Sequence, residues 1–159
     1  MSIVFNRSQY SLQVFSQICK ARPLKLFIVA DGPRANKPGE MEKVQQCRAI
    51  KDMVDWECEV HTNFSDVNMG CKNRIVSGIN WVFEQTEELI ILEDNCVPDL
   101  SFFRFCQELL EKYRNDNRVL SIAGSNHDEF EYFDESYAFS KFSSPWGWAT
   151  WKRAWILYG

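Results

Sequence analysis

Leu89-Ile90-Ile91-Leu92-Glu93-Asp94-Asn95 is a run of apolar residues followed at once by two acids and an amide. An apolar run without alternation suits a strand covered on both faces, which is the situation of a central strand in a parallel sheet. Two related runs lie upstream: Ile3-Val4-Phe5, and Leu24 to Ala30 (LKLFIVA) between Pro23 and Asp31-Gly32-Pro33. Trp56 to Val60 reads as a third strand and Val119 to Ala123 as a fifth. The stretches between them follow helical spacing. They carry Leu12, Phe15 and Ile18 with Val14 beside them; Met41, Val44, Cys47 and Met53-Val54; Ile75, Ile79, Val82 and Phe83 within Cys71 to Gln85; and Phe102, Phe105-Cys106, Leu109 and Leu110 within Pro98 to Tyr113. Strands alternating with helices predict an α/β fold: a Rossmann-like three-layer α/β/α arrangement around a mainly parallel sheet with right-handed crossovers.

The chain has 159 residues, enough for one domain and too few for two ordinary ones. Lys plus Arg is 18 against 22 for Asp plus Glu, a net charge of −4. That balance argues against sequence-independent nucleic-acid binding, which needs a basic face to displace counterions from phosphates. No apolar run approaches the roughly 20 residues that span a bilayer, so no transmembrane segment is expected. The first residues lack a basic region followed by a long apolar stretch, so the sequence predicts no secretory signal. Cys19, Cys47, Cys58, Cys71, Cys96 and Cys106 include no C-x-x-C pair and suit no zinc site. They read as reduced thiols of a cytoplasmic protein.

In open sheets of this kind, ligands bind beyond the carboxyl ends of the strands, where the strand order reverses. Each predicted strand ends in polar residues: Asn6-Arg7, Asp31-Gly32-Pro33-Arg34, His61-Thr62-Asn63, Glu93-Asp94-Asn95, and Gly124 to Asp128. Any one loop is polar by default, but five on one edge favour a site for a ligand with hydrogen-bonding rings and an anion. Glu93-Asp94 is the sharpest of these. Adjacent acids at the rim of a core raise each other's pKa unless a cation or donors offset them. A hard divalent cation, Mn²⁺ or Mg²⁺, takes such oxygens and completes its shell with substrate phosphates. Helix capping is the competing reading, and it explains Asp99 better than Asp94.

The segments IVFNR, FIVADGPR, NMGCKNRIVSGINWVFEQ, LIILEDNCVPDLSFFRFCQELLEKY and PWGWATWKRAW together resemble the glycosyltransferases of the GT-A fold. The resemblance is closest to bacterial family-2-like members, also described as nucleotide-diphospho-sugar transferases. The acidic motif is also similar to that of the N-acetylglucosaminyltransferase I group. The resemblance implies a nucleotide-diphosphate sugar donor, a glycan or other hydroxyl acceptor, and inverting transfer. It places Asn6 and Arg7, with Asp31 and Gly32, at the base and ribose. It lays Asn68, Gly70 and Arg74 against the nucleotide and diphosphate, although Asn68 and Gly70 read equally as a turn and cap. Glu93, Asp94 and Asn95 fill the acidic motif, with Asp94 and Asn95 as the metal ligands.

Two departures stand out. Asn95 replaces the family's third acid and brings no charge to a cation. The carboxylate base of an inverting transferase is expected downstream of Gly159, so no catalytic residue is assigned. The chain is therefore expected to be a single domain, 1–159, C-terminally incomplete, with a nucleotide-binding half over 1–125 and the start of the acceptor side over 126–159. Asp128, Glu129, Glu131 and Asp134 read as a solvated acidic loop. Both an enzyme and a catalytically silent binding module of the same fold remain open. A signalling receiver would need an acidic pair where this chain has Asn6-Arg7, and a nucleotidyltransferase would need a glycine-rich loop there.

Trp148, Trp151 and Trp155 are spaced i, i+3, i+7 and predict one helical face. They read as core packing, with Trp146, Gly147 and Trp148 forming a sugar or acceptor wall, since indole faces pack on sugar rings. An exposed remainder of this stripe would be an apolar patch suited to self-association.

Overall fold

The computed structural model describes residues 1–125 and 136–158. The apolar runs become strands Ser2–Val4 (β1), Lys25–Ala30 (β2) and Glu88–Glu93 (β4), with Glu59–Phe64 (β3) between the last two. The helices are Ser8–Ala21 (α1), Glu40–Arg48 (α2), Cys71–Phe83 (α3) and Leu100–Lys112 (α4). Ser121–Ala123 (β5), Trp148–Trp151 (β6) and the short helix Lys152–Trp155 (α5) follow. The predicted helix from Met41 to Val54 ends earlier than its apolar spacing suggests, because α2 tightens into a 3₁₀ turn over Ala49–Met53.

The strands form one sheet in the order β3-β2-β1-β4-β6-β5. The four strands β3, β2, β1 and β4 are parallel, and β6 runs antiparallel between β4 and β5. The fold is therefore α/β with a mixed, mostly parallel sheet, consistent with a Rossmann-like arrangement. Successive side chains of each strand face opposite layers. Leu26, Ile28 and Ala30 of β2, Leu92 of β4 and Trp151 of β6 pack with Val14, Phe15 and Ile18 of α1, Cys47 of α2, and Phe102, Cys106 and Leu110 of α4. Ile3, Phe27, Leu89 and Ile91 pack on the other face against Ile79, Val82 and Phe83 of α3. Coverage on both faces is why the middle of β4, Leu89 to Leu92, is apolar. Gly78 brings α3 close to β2: a Cβ there would sit 2.7 Å from Val29 Cγ1.

Four expectations need correction. Trp148, Trp151 and Trp155 do not share a helical face, because Trp148–Trp151 is strand. Pairing of β6 on both edges satisfies its backbone, and its Trp and Thr side chains suit a pleated surface. Trp151 turns toward α4, where its Nε1 donates to the Leu110 carbonyl at 3.1 Å. Trp148 lies on the opposite face, 6.3 Å from the Trp155 ring. The third strand runs over Glu59–Phe64, so His61-Thr62-Asn63 lies inside it and not beyond it; His61 stacks on Phe27 at 4.9 Å. The fifth strand is shorter than predicted and is separated from β4 by β6. In α1, Leu12 faces outward while Ser11, Val14, Phe15 and Ile18 are buried. All six cysteines are free thiols, and no helix among the described residues is long and apolar enough to cross a membrane.

Candidate functional site

The chain leaves β1 through α1 toward β2 and β3, then returns through α3 to place β4 on the other side of β1. The strand order thus reverses between β1 and β4, where such sheets open a crevice at their carboxyl ends. The register sets Val4 opposite Ala30, Ala30 opposite Phe64, and Ile3 opposite Glu93, so the four tips lie along one edge.

Arg7, beyond the end of β1, and Asp94, just beyond β4, meet at this reversal. Arg7 Nη1 lies 3.7 Å from Asp94 Oδ1, with the Arg7 side chain 55 % exposed and that of Asp94 13 %. Burial pushes the Asp94 carboxyl above its ordinary range, against the opposing pull of Arg7 and of the nearby Phe5 N–H. Burial also raises the Glu93 carboxyl, and the neighbouring Asp94 charge adds to that rise. Asn95 is exposed and accepts a weak contact from the Cys96 thiol at 3.6 Å.

Asp31, Gly32, Asn68 and Gly70 also converge, but they bind one another. Buried Asp31 accepts from the N–H groups of Gly32 (2.9 Å), Met69 (2.8 Å) and Gly70 (3.1 Å), and from Asn68 Nδ2 (3.1 Å). Asn68 Nδ2 also donates to the Gly32 carbonyl at 2.8 Å. Gly32 passes so close to Val67 that a Cβ would lie 2.5 Å from its carbonyl carbon. These residues therefore fix the loop that delivers the start of α3. Gly70, at φ +78°, is the N-cap of that helix, and no side chain caps it. Arg74 is buried one turn further on and donates to the backbone carbonyl and side-chain Oδ1 of Asn63. Its Nε has no hydrogen-bond partner, and burial lowers its pKa.

A second network escaped the sequence. Asn6 Nδ2 donates to Glu40 Oε1 at 2.9 Å, and the Arg34 backbone N–H donates to Glu40 Oε2 at 2.7 Å. The Arg34 guanidinium adds further bonds to the same carboxylate and lies over the Phe5 ring. Arg34 thereby holds Glu40 down to a pKa of about 2. The network ties the 32–39 loop to the tip of β1. Glu40 carried only the signal of an acid in a first helical turn, which says nothing of a partner as distant as Asn6. Arg48 braces the adjoining loop by donating to the carbonyls of Asp31 and Ser65.

The Trp146-Gly147 turn borders the same edge. Gly147, at φ +72°, accepts from Gly124 N–H at 2.9 Å and lies beside Leu92. Trp146 is 58 % exposed, whereas Trp148 is packed beneath, so only Trp146 of the expected wall presents a broad surface. Asn126, His127, Asp128, Glu129, Glu131 and Asp134 lie outside the described residues.

Away from the strand tips, an apolar groove of about 500 Å³ runs between α3 and the 152–158 segment, lined by Ile75, Val76, Ile79, Trp148, Trp155 and Leu157. Ile156, Leu157 and Tyr158 are exposed beside it.

The expected cation ligands do not form a preset cage. Asp94 is already paired with Arg7, Asn95 is turned outward to the Cys96 thiol, and no three His, Cys, Asp or Glu side chains converge among the described residues. No protein-family model matches the sequence, and no curated protein matches it.

Proposed function

We propose that this chain is the nucleotide-sugar-binding part of a GT-A-type glycosyltransferase, serving transfer of a sugar from a nucleotide-diphosphate donor to a glycan or other acceptor hydroxyl. The observation that carries the reading is the meeting of Arg7 and Asp94 at the reversal of strand order, with the loops after β2 and β3 on the same edge. A half-exposed guanidinium suits phosphate oxygens, and the buried acids beside it suit sugar or ribose hydroxyls as acceptors. Exposed Trp146 offers an aromatic face at the same rim. Asp31, Gly32, Asn68 and Gly70 support the site by shaping the loop at the start of α3 and not by direct contact.

A silent binding module of the same fold is the second reading, favoured by the neutral Asn95 in the acidic motif. Isothermal titration with UDP and GDP tests the common core of both. Saturable binding that is weakened in Asp94→Asn is the expected result; no binding of either nucleotide at millimolar concentration refutes it. Hydrolysis of a bound nucleotide sugar, followed by release of free sugar, separates an enzyme from a silent module. The groove beside the exposed 156–158 residues supports self-association, which sedimentation at increasing concentration reads directly.

A further inference from the structure

We infer that Arg7, and not a divalent cation, supplies the positive charge against which a diphosphate rests in this crevice. The inference rests on the nucleotide-binding reading above and goes beyond it by specifying what neutralises the phosphates.

Asp94 is the acid nearest the crossing, and its Oδ1 already faces Arg7 Nη1 at 3.7 Å. A dication seated on Asp94 would stand within a few ångströms of a like-charged guanidinium, and that repulsion falls only as the inverse of distance. The adjoining ligand position is Asn95, which is neutral, exposed and in contact with a thiol. It offers little to offset the repulsion.

Arg7 has the complementary properties. Its separation from Asp94 is too long for a hydrogen bond, and its guanidinium makes none to the described residues. Its donors therefore remain available to an incoming ligand, while Asp94 keeps the head group at the crevice. A planar fork of N–H donors matches two phosphate oxygens at once, which a compact ammonium does not. Arg7 also precedes α1, whose first turn has no side-chain cap, so the helix field has the same sign as the guanidinium.

The test is calorimetric titration of the full chain with UDP and with inorganic pyrophosphate, in excess EDTA and in excess MnCl₂. Equal affinity for UDP in the two buffers, within about twofold, is expected for the wild-type chain. Arg7→Gln should lose about tenfold or more in both buffers, the scale of a charge-assisted hydrogen bond, without rescue by Mn²⁺. Arg7→Lys should fall between. Far-ultraviolet circular dichroism checks that the variants are folded, and the wild-type comparison of buffers stands even if they are not. Loss of wild-type affinity by tenfold or more in EDTA would overturn the inference while leaving nucleotide binding intact, as would Arg7→Gln binding like wild type in Mn²⁺. Failure of UDP to bind in either buffer would overturn both this inference and the reading on which it rests.

Discussion

Replacing Asp31 by Ala should unfasten the loop that leads into α3. The carboxylate accepts from three backbone N–H groups and one side-chain amide, at 2.8–3.1 Å. Truncation leaves the Met69 and Gly70 N–H groups, the Gly32 N–H and one proton of Asn68 without their acceptor. A stranded buried donor costs about 1–3 kcal/mol. Residues 68–70 are only half-buried, so water reaches part of the gap and the low end applies. Taking about 1 kcal/mol for each of the three cross-chain donors gives about 3 kcal/mol. For a domain of this size, that corresponds to a fall in Tm of about 6–12 °C. Asp31→Asn keeps one acceptor oxygen but turns an NH₂ toward existing donors, so a loss of about 2 kcal/mol is expected. Thermal unfolding followed by circular dichroism measures both. Hydrogen exchange should show faster exchange at the Met69 and Gly70 amides, with protection in β2 retained. An Asp31→Ala melting temperature within 2 °C of wild type, on the scale of about 1 kcal/mol or less, would refute the view that this carboxylate organises the loop.

Gly32→Ala should be destabilising by more than about 1–3 kcal/mol, the ordinary range for overpacking, because the new Cβ meets backbone of Val67 at 2.5–2.7 Å and not a yielding side chain; chemical denaturation reads it. Glu40, held at a pKa of about 2 chiefly by Arg34, contributes stability above its unfolded-state pKa that is lost as pH falls toward 2. Glu40→Gln should therefore flatten the acid limb of the stability–pH curve, measured by melting temperature from neutral to acid pH. Trp151→Phe removes the donor to the Leu110 carbonyl and shrinks the aromatic face beneath the Arg153 guanidinium, 4.4 Å away. A loss of about 2–4 kcal/mol, combining an unmet buried acceptor with a smaller ring, should appear in urea unfolding.

The sequence by itself determined the α/β class, because strand segments buried on both faces must be apolar, and Leu26 to Ala30 and LIIL are. It also placed Asn6-Arg7, Asp31-Gly32 and Asp94-Asn95 beyond β1, β2 and β4, whereas His61-Thr62-Asn63 proved to lie inside β3. The starts of α3 and α4 were legible for local reasons: Gly70 takes a positive φ, and Asp99 accepts from the Ser101 N–H. The tertiary structure alone decided the rest. Insertion of β6 between β4 and β5 depends on hydrogen bonds to two distant strands, whereas Trp148, Trp151 and Trp155 taken along the chain fit a helix just as well. Asp31 read as a ligand-facing acid, yet its carboxylate is spent on a loop nearly forty residues away. Glu40 gave no sign of its tie to Asn6. Hydrophobic periodicity is a property of neighbouring residues; the partner of a carboxylate is set by which loops the sheet order brings together.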